Sequence, residues 1–159
     1  MTLAVLPGTY DPITLGHVDI AARAATMFDE VVIGIAHNST KTPLLDAETR
    51  TRLARGATSH LESVRVEVIE GLLVHFCEEV GATAIVKGLR GGADYDVERP
   101  MALMNRSLTG IETVFLTGDN ALSHIASSLV RDVARHGGDI DAYVPAGVGA
   151  AVRGALEVR

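Results

Sequence analysis

The chain has 159 residues, the size of one domain with room for a real core. Apolar residues make up 47% and aromatics only 4%, so Ala, Val, Leu, Ile and Gly must carry the packing. A formal charge of −6 argues against a general nucleic-acid binder, whose surface is basic, and no apolar run approaches the roughly 18 residues of a membrane span.

Short apolar runs, most of them β-branched, recur at Leu3–Leu6, Val31–Ala36, Val64–Ile69, Ala84–Val86 and Val114–Leu116. Each is too short for a helix and reads as a strand. Helical patterns lie between them. His17, Ile20, Ala21, Ala24, Met27 and Phe28 share one helical face, in a helix that enters near Gly16-His17. Asp46 is an N-cap for a second helix running to about Ser59. Leu72–Val80 is a third, closed by Gly81. Arg99–Leu108 is a fourth, Ser127–His136 a fifth ending at Gly137-Gly138, and a last helix starts near Pro145 or Ala146. Strands alternating with helices predict an α/β fold: one Rossmann-like domain, residues 1–159, with a five-stranded parallel sheet covered by helices on both faces. Crossovers are expected to be right-handed, with ligands beyond the carboxyl ends of the strands. Residues 7–15, 37–45, 87–94 and 117–123 are then the loops that face the crevice.

Cys77 is the single cysteine, in an apolar helical stretch, so no internal disulfide forms and a small core thiol is expected. The N-terminus runs into a strand pattern without a basic leader, which predicts a cytoplasmic location. Of the 14 basic residues, only Lys41 and Lys87 are lysine, which marks them as candidates for positions that need a compact ammonium. The remaining histidines, His37, His60, His75, His124 and His136, have no metal-ligand spacing with a second His or Cys, so no protein metal site is expected.

The densest signal is Pro7-Gly8-Thr9-Tyr10-Asp11-Pro12-Ile13-Thr14-Leu15-Gly16-His17. A strand ends, the chain turns through Asp11-Pro12, and a helix begins with its free N–H groups and positive dipole end toward the crevice, a ready anion site. This stretch resembles the nucleotidyltransferase superfamily with the Thr/His-x-Gly-His signature, here Thr14-Leu15-Gly16-His17, and the longer match resembles the phosphopantetheine adenylyltransferase family. The resemblance extends through Lys41, Lys87-Gly88-Leu89-Arg90, Met104-Asn105-Arg106, Ala126-Ser127-Ser128-Leu129-Val130 and Gly138-Asp139.

That resemblance implies transfer of AMP from ATP to 4′-phosphopantetheine, giving dephospho-coenzyme A and pyrophosphate. It implies His17 on the α-phosphate, Thr9 bridging the reacting phosphates, and Lys41 and Lys87 on the attacking phosphate. Arg90, Ser127 and Ser128 would hold the β- and γ-phosphates, Glu98 would bond the nucleotide and Leu73 would line the pantetheine arm. Tyr10, Gly88, Leu89, Leu122, Ser123, His124, Ile125 and Ala126 complete the implied ATP-binding set. It further implies Mg²⁺ arriving with ATP, a homohexamer and feedback by coenzyme A. Two polyanionic reactants need positioning and charge stabilisation, and no covalent nucleophile.

Some positions depart from the family pattern. Leu122 and His124 stand where aromatics are expected, Ala126 replaces the first of three serines, Val97 a tyrosine, and Arg99-Pro100 a pair better suited to a helix. A lost stacking aromatic weakens nucleotide binding by about 0.5–1.5 kcal/mol and a lost hydroxyl by about 1 kcal/mol. The expectation is an active enzyme with weaker ATP binding or an altered nucleotide pose. A relative with another acceptor such as nicotinamide mononucleotide, a non-catalytic nucleotide- or coenzyme A-binding paralogue and a structural interaction protein are the alternatives.

Overall fold

A computed structural model describes residues 1–37 and 42–158. Lys41 lies outside the described residues. Five strands form one sheet in the order β3-β2-β1-β4-β5, with every pair parallel. They are β1 (Leu3–Gly8), β2 (Glu30–Ala36), β3 (Val64–Ile69), β4 (Ala84–Leu89) and β5 (Glu112–Thr117). Among the described residues six helices connect or follow them: α1 (Leu15–Ala25), α2 (Ala47–Ala57), α3 (Leu73–Val80), α4 (Gly92–Thr109), α5 (Ser127–Arg135) and α6 (Val148–Glu157).

Period-two alternation sends successive strand residues to opposite faces. Ala4, Leu6, Val31, Ile33, Ile35, Val66 and Val86 face one core, closed by apolar residues of α1, α2, α5 and α6. Leu3, Val5, Val32, Ile69 and Ile85 face a smaller core closed by Phe76 and Cys77 of α3. The Cys77 thiol is buried there and its pKa is pushed up to about 11 by desolvation, so it stays protonated and packs as an apolar residue. α4 lies on this side along α3 and β5, with Asn105 its one buried residue.

The strand order reverses between β1 and β4. These two strands pair only at Ala4 and Val5 and then part, whereas β1 and β2 stay in register from Leu3↔Glu30 to Gly8↔Ile35. A crevice opens at such a switch point, at the carboxyl ends of the strands. Pro7, which has no N–H to give a ladder, lies in the part of β1 beyond the last β1–β4 pair.

Several boundaries differ from the sequence expectation. β4 does not end at Val86. Lys87, Gly88 and Leu89 continue it, opposite Phe115, Leu116 and Thr117 of β5. Lysine and glycine are depleted in strands, so their chemistry suggested a loop. α4 starts at Gly92 rather than Arg99 and runs through Pro100, which neither starts nor ends it. Asp94 supports that early start by accepting hydrogen bonds from the Arg90 backbone N–H at 2.8 Å and from its guanidinium. Met27 lies past the end of α1 and is exposed rather than part of the buried face. The Asp46 cap does form, accepting the Thr49 N–H at 2.7 Å, and Gly81 closes α3 with φ 72°.

Candidate active site

A cleft of about 1210 Å³ occupies the switch point, lined by the ends of β1 and β4, the starts of α1 and α5, and the segments around Leu44 and Asp119. Its centre is the mouth of α1. Thr14 caps the helix and forms a capping box with His17: the Thr14 N–H donates to His17 Nδ1 at 2.9 Å, and the His17 N–H donates to Thr14 Oγ1 at 3.4 Å. Because a backbone N–H can only donate, Nδ1 is the acceptor nitrogen and the proton of the neutral ring sits on Nε2, the atom left for a ligand.

Desolvation lowers the His17 pKa from 6.5 to about 4, helped by the positive charges of Arg90 and Lys87. The ring is therefore a neutral hydrogen-bond donor at neutral pH. Above pH 6.5 it is neutral in folded and unfolded chains alike and contributes nothing to the pH dependence of stability. Between 6.5 and about 4 the unfolded chain takes up a proton that the folded chain refuses, so stability falls as the pH drops through this window. We expect His17→Asn to remove that part of the loss, read from urea unfolding of both proteins at pH 7 and pH 4.5. An equal acid loss in both proteins overturns the assignment.

Tyr10 packs against this histidine, ring centroids 4.8 Å apart, and donates its hydroxyl proton to the Leu6 carbonyl at 2.9 Å. Burial pushes the phenol pKa up, so it remains a donor. Gly8 is needed beside it, since a Cβ there would stand 2.9 Å from the Tyr10 ring. Gly88 has a related role. A Cβ would stand 2.6 Å from Ile20 Cγ1, so its bare backbone lets α1, and His17 with it, lie close against β4.

Two cations of the cleft, Lys87 and Arg90, are held by carboxylates. Lys87 Nζ is 3.3 Å from Glu98 Oε1, and Arg90 makes a two-pronged pair with Asp94 at 3.1 Å for each contact. α4 thus supplies both counter-charges, one turn apart. At the start of α5, Ala126 provides no side-chain cap, which leaves the first N–H groups of that helix available to an anion. Ser127 donates its hydroxyl proton to the Pro12 carbonyl at 2.8 Å and so ties α5 to the loop before α1. Arg131, one turn on, donates to the Asp11 carbonyl at 2.6 Å.

Thr9, Tyr10, His17, Lys87, Gly88, Leu89, Arg90, Glu98, Leu122, Ser123, Ile125, Ala126, Ser127 and Ser128 all line this one cleft. His124 is not among its lining residues and meets Tyr143 edge-on, ring centroids 6.0 Å apart. Leu73, at the start of α3, packs against the smaller core and also does not line the cleft. Arg50 and Asp11 are among the lining residues that sequence reasoning did not assign to the site. Arg50 is buried and bonds three backbone carbonyls, and the buried Asp11 carboxylate accepts from the N–H groups of Leu44 at 2.8 Å and Leu45 at 2.9 Å. The signal for Arg50 was available: with Leu53, Ala54 and Ala57 it falls on one helical face, the face that packs on the sheet.

A parallel sheet with a cleft at its switch point, a neutral histidine at a helix mouth and two cations beside it defines the Rossmann-like nucleotidyl-transferring class. Residues 5–133 match the cytidylyltransferase-like family. The chain is 50% identical to a phosphopantetheine adenylyltransferase from Nocardioides sp. (100% of this chain and 98% of the relative). It is likewise 50% identical to one from Bifidobacterium longum (91% and 89%). The fold is also that of a Vibrio parahaemolyticus protein assigned as a nicotinate-nucleotide adenylyltransferase, with TM-score 0.72 at 19% identity over 98% of this chain and 95% of that one. The chain belongs to the phosphopantetheine adenylyltransferases, within the cytidylyltransferase-like family.

Proposed function

We propose that the chain transfers the adenylyl group of ATP to 4′-phosphopantetheine, the penultimate step of coenzyme A biosynthesis. A phosphate oxygen of the acceptor attacks the α-phosphorus, the bond to the bridging oxygen breaks, and pyrophosphate leaves with that electron pair. The observation that carries this reading is the neutral, Nδ1-anchored His17 beside Lys87 and Arg90. A fixed donor aimed at developing phosphoryl charge lowers the barrier without reorganising during the reaction. It needs no change of protonation state, as expected where the attacking phosphate is already an anion.

In this reading Thr9 bridges the reacting phosphates. Lys41 and Lys87 hold the attacking phosphate, and incoming phosphate competes with Glu98 for the Lys87 ammonium. Arg90 with Ser127 and Ser128 holds the β- and γ-phosphates, and Glu98 bonds the nucleotide. Tyr10, Gly88, Leu89, Leu122, Ser123, Ile125 and Ala126 shape the nucleotide side. Mg²⁺ would arrive with ATP and would supply charge neutralisation for the leaving pyrophosphate.

A cytoplasmic location belongs to the same reading, and no helix of the described residues is long and apolar enough to cross a membrane. So does self-association as a homohexamer, with coenzyme A as a feedback ligand. Support for self-association comes from α4, where Val97, Met101, Met104 and Leu108 form an apolar stripe at 4-3-4 spacing, each more than half exposed. Sedimentation of the purified chain tests it.

The deciding experiment is pyrophosphate release from ATP with 4′-phosphopantetheine or nicotinamide mononucleotide. Release with the first alone is expected. Release with the second alone reassigns the acceptor. Calorimetric binding of ATP or coenzyme A without turnover on either makes the chain a non-catalytic binder.

A further inference from the structure

The largest fully buried side chain of the described residues is a cation. Arg50 is 1% exposed. Among the described residues it forms no ion pair. Its Nη1 donates to the Thr9 carbonyl at 2.7 Å and the Ala36 carbonyl at 3.0 Å, and its Nε donates to the Leu45 carbonyl at 3.1 Å. A buried charge is costly unless fixed dipoles replace water around it, and a guanidinium is the one side chain that can address several such dipoles in a rigid plane. The three acceptors belong to three separate segments. Thr9 follows the end of β1, Ala36 is the last residue of β2, and Leu45 lies just before α2. A single planar group therefore bonds all three segments at once.

These segments carry the proposed chemistry. Thr9 lines the cleft, and fixing its carbonyl also fixes the direction of the Tyr10 N–H, since the two lie on opposite sides of one planar trans peptide. Tyr10 takes φ 51°, so this stretch has a sharply defined path. Ala36 also lines the cleft, as does Leu44, the neighbour of Leu45. We propose that Arg50 is a positioning residue for adenylyl transfer, holding Thr9 in one geometry with the end of β2 and the segment before α2. It touches neither reacting phosphate in this role. The proposal rests on the reaction assigned above.

Misplacement by a fraction of an ångström costs rate while leaving much of the ground-state binding in place. The test is therefore a split between kcat and KM. In Arg50→Lys, which keeps the charge but loses the planar fork, kcat per ATP-binding site (sites counted by calorimetry) is expected to fall at least roughly tenfold, with KM for ATP within about threefold. Arg50→Met is expected to fall further, roughly a hundredfold, if it folds; if it does not, Arg50→Lys decides. Counting sites matters because a purely structural residue lowers the number of competent molecules and leaves the turnover of each unchanged. Arg50→Lys turnover per site within twofold of the parent overturns the proposal. The two readings fail separately. If the parent releases no pyrophosphate with phosphopantetheine, the acceptor assignment falls, and Arg50 is judged by the Thr9 and Tyr10 amide resonances of the labelled protein. Those resonances shift in Arg50→Lys under this proposal and stay in place if it is wrong.

Discussion

Replacing His17 by alanine lowers kcat by about 10²–10³-fold while KM for ATP stays within a few-fold, measured by steady-state pyrophosphate release. The size follows from what the ring is here. Its Nδ1 is occupied by the Thr14 N–H and its pKa lies near 4, so it offers one neutral donor from Nε2. A donor that strengthens its bond as charge grows on the phosphoryl group acts on the transition state far more than on bound ATP, and its loss appears in kcat. The same chemistry predicts no fall in kcat near pH 6.5 from this residue, because the ring does not titrate there. The alanine variant also loses half of the capping box, a stability cost of about 1 kcal/mol that leaves the protein folded. Turnover surviving within tenfold of the parent removes His17 from the role assigned to it.

What was legible in the sequence divides along physical lines. The five strands were visible because buried parallel strands are short continuous apolar runs, and the helix ends at Asp46 and Gly81 because a cap and a left-handed residue have few chemical solutions. The stretch from Pro7 to His17 was legible as a turn into a helix at the crevice because its residue types are bound by local geometry: Gly8 under the Tyr10 ring, and Thr14 with His17 in one capping box. Boundaries set by tertiary contact were not. Lys87-Gly88-Leu89 is a strand only because β5 pairs with it, and Gly88 is admitted by its closeness to Ile20. The start of α4 depends on Asp94 reaching back to Arg90, and the pattern gave way at Pro100 instead. Asp11 and Arg50 were the largest omissions in the site. Each bonds backbone groups more than ten residues away, except for the Arg50 bond to Leu45, and such partners leave no mark on a local pattern. The departures on the nucleotide side also look different in three dimensions. Leu122 packs partly against the main core, and His124 turns to Tyr143, so neither presents a ring to the cleft.

Asp11 is where a change of a single atom is expected to have its greatest effect on stability. The carboxylate is 4% exposed. One oxygen accepts from Leu44 N–H at 2.8 Å and the other from Leu45 N–H at 2.9 Å, which ties the turn after β1 to the segment before α2. Arg131 Nη1 stands 3.9 Å from the same carboxylate. In Asp11→Asn the side chain keeps its shape, but one oxygen becomes an NH₂ that faces a backbone N–H. Whichever way the amide turns, one buried donor meets another, and the charge opposite Arg131 is gone. The cost is about 2–4 kcal/mol, a fall in Tm of roughly 5–15 °C for a chain of this size. Asp29 provides the internal comparison. It accepts the Thr2 N–H at 2.7 Å, but in the open, where water replaces a lost acceptor, so Asp29→Asn is expected to shift Tm much less. Activity of Asp11→Asn at a temperature where it is fully folded also falls, because Asp11 lies between Tyr10 and the Thr14 cap that orients His17. A Tm for Asp11→Asn within about 2 °C of the parent, or equal to that of Asp29→Asn, shows that this bridge between the two loops does not hold the site together.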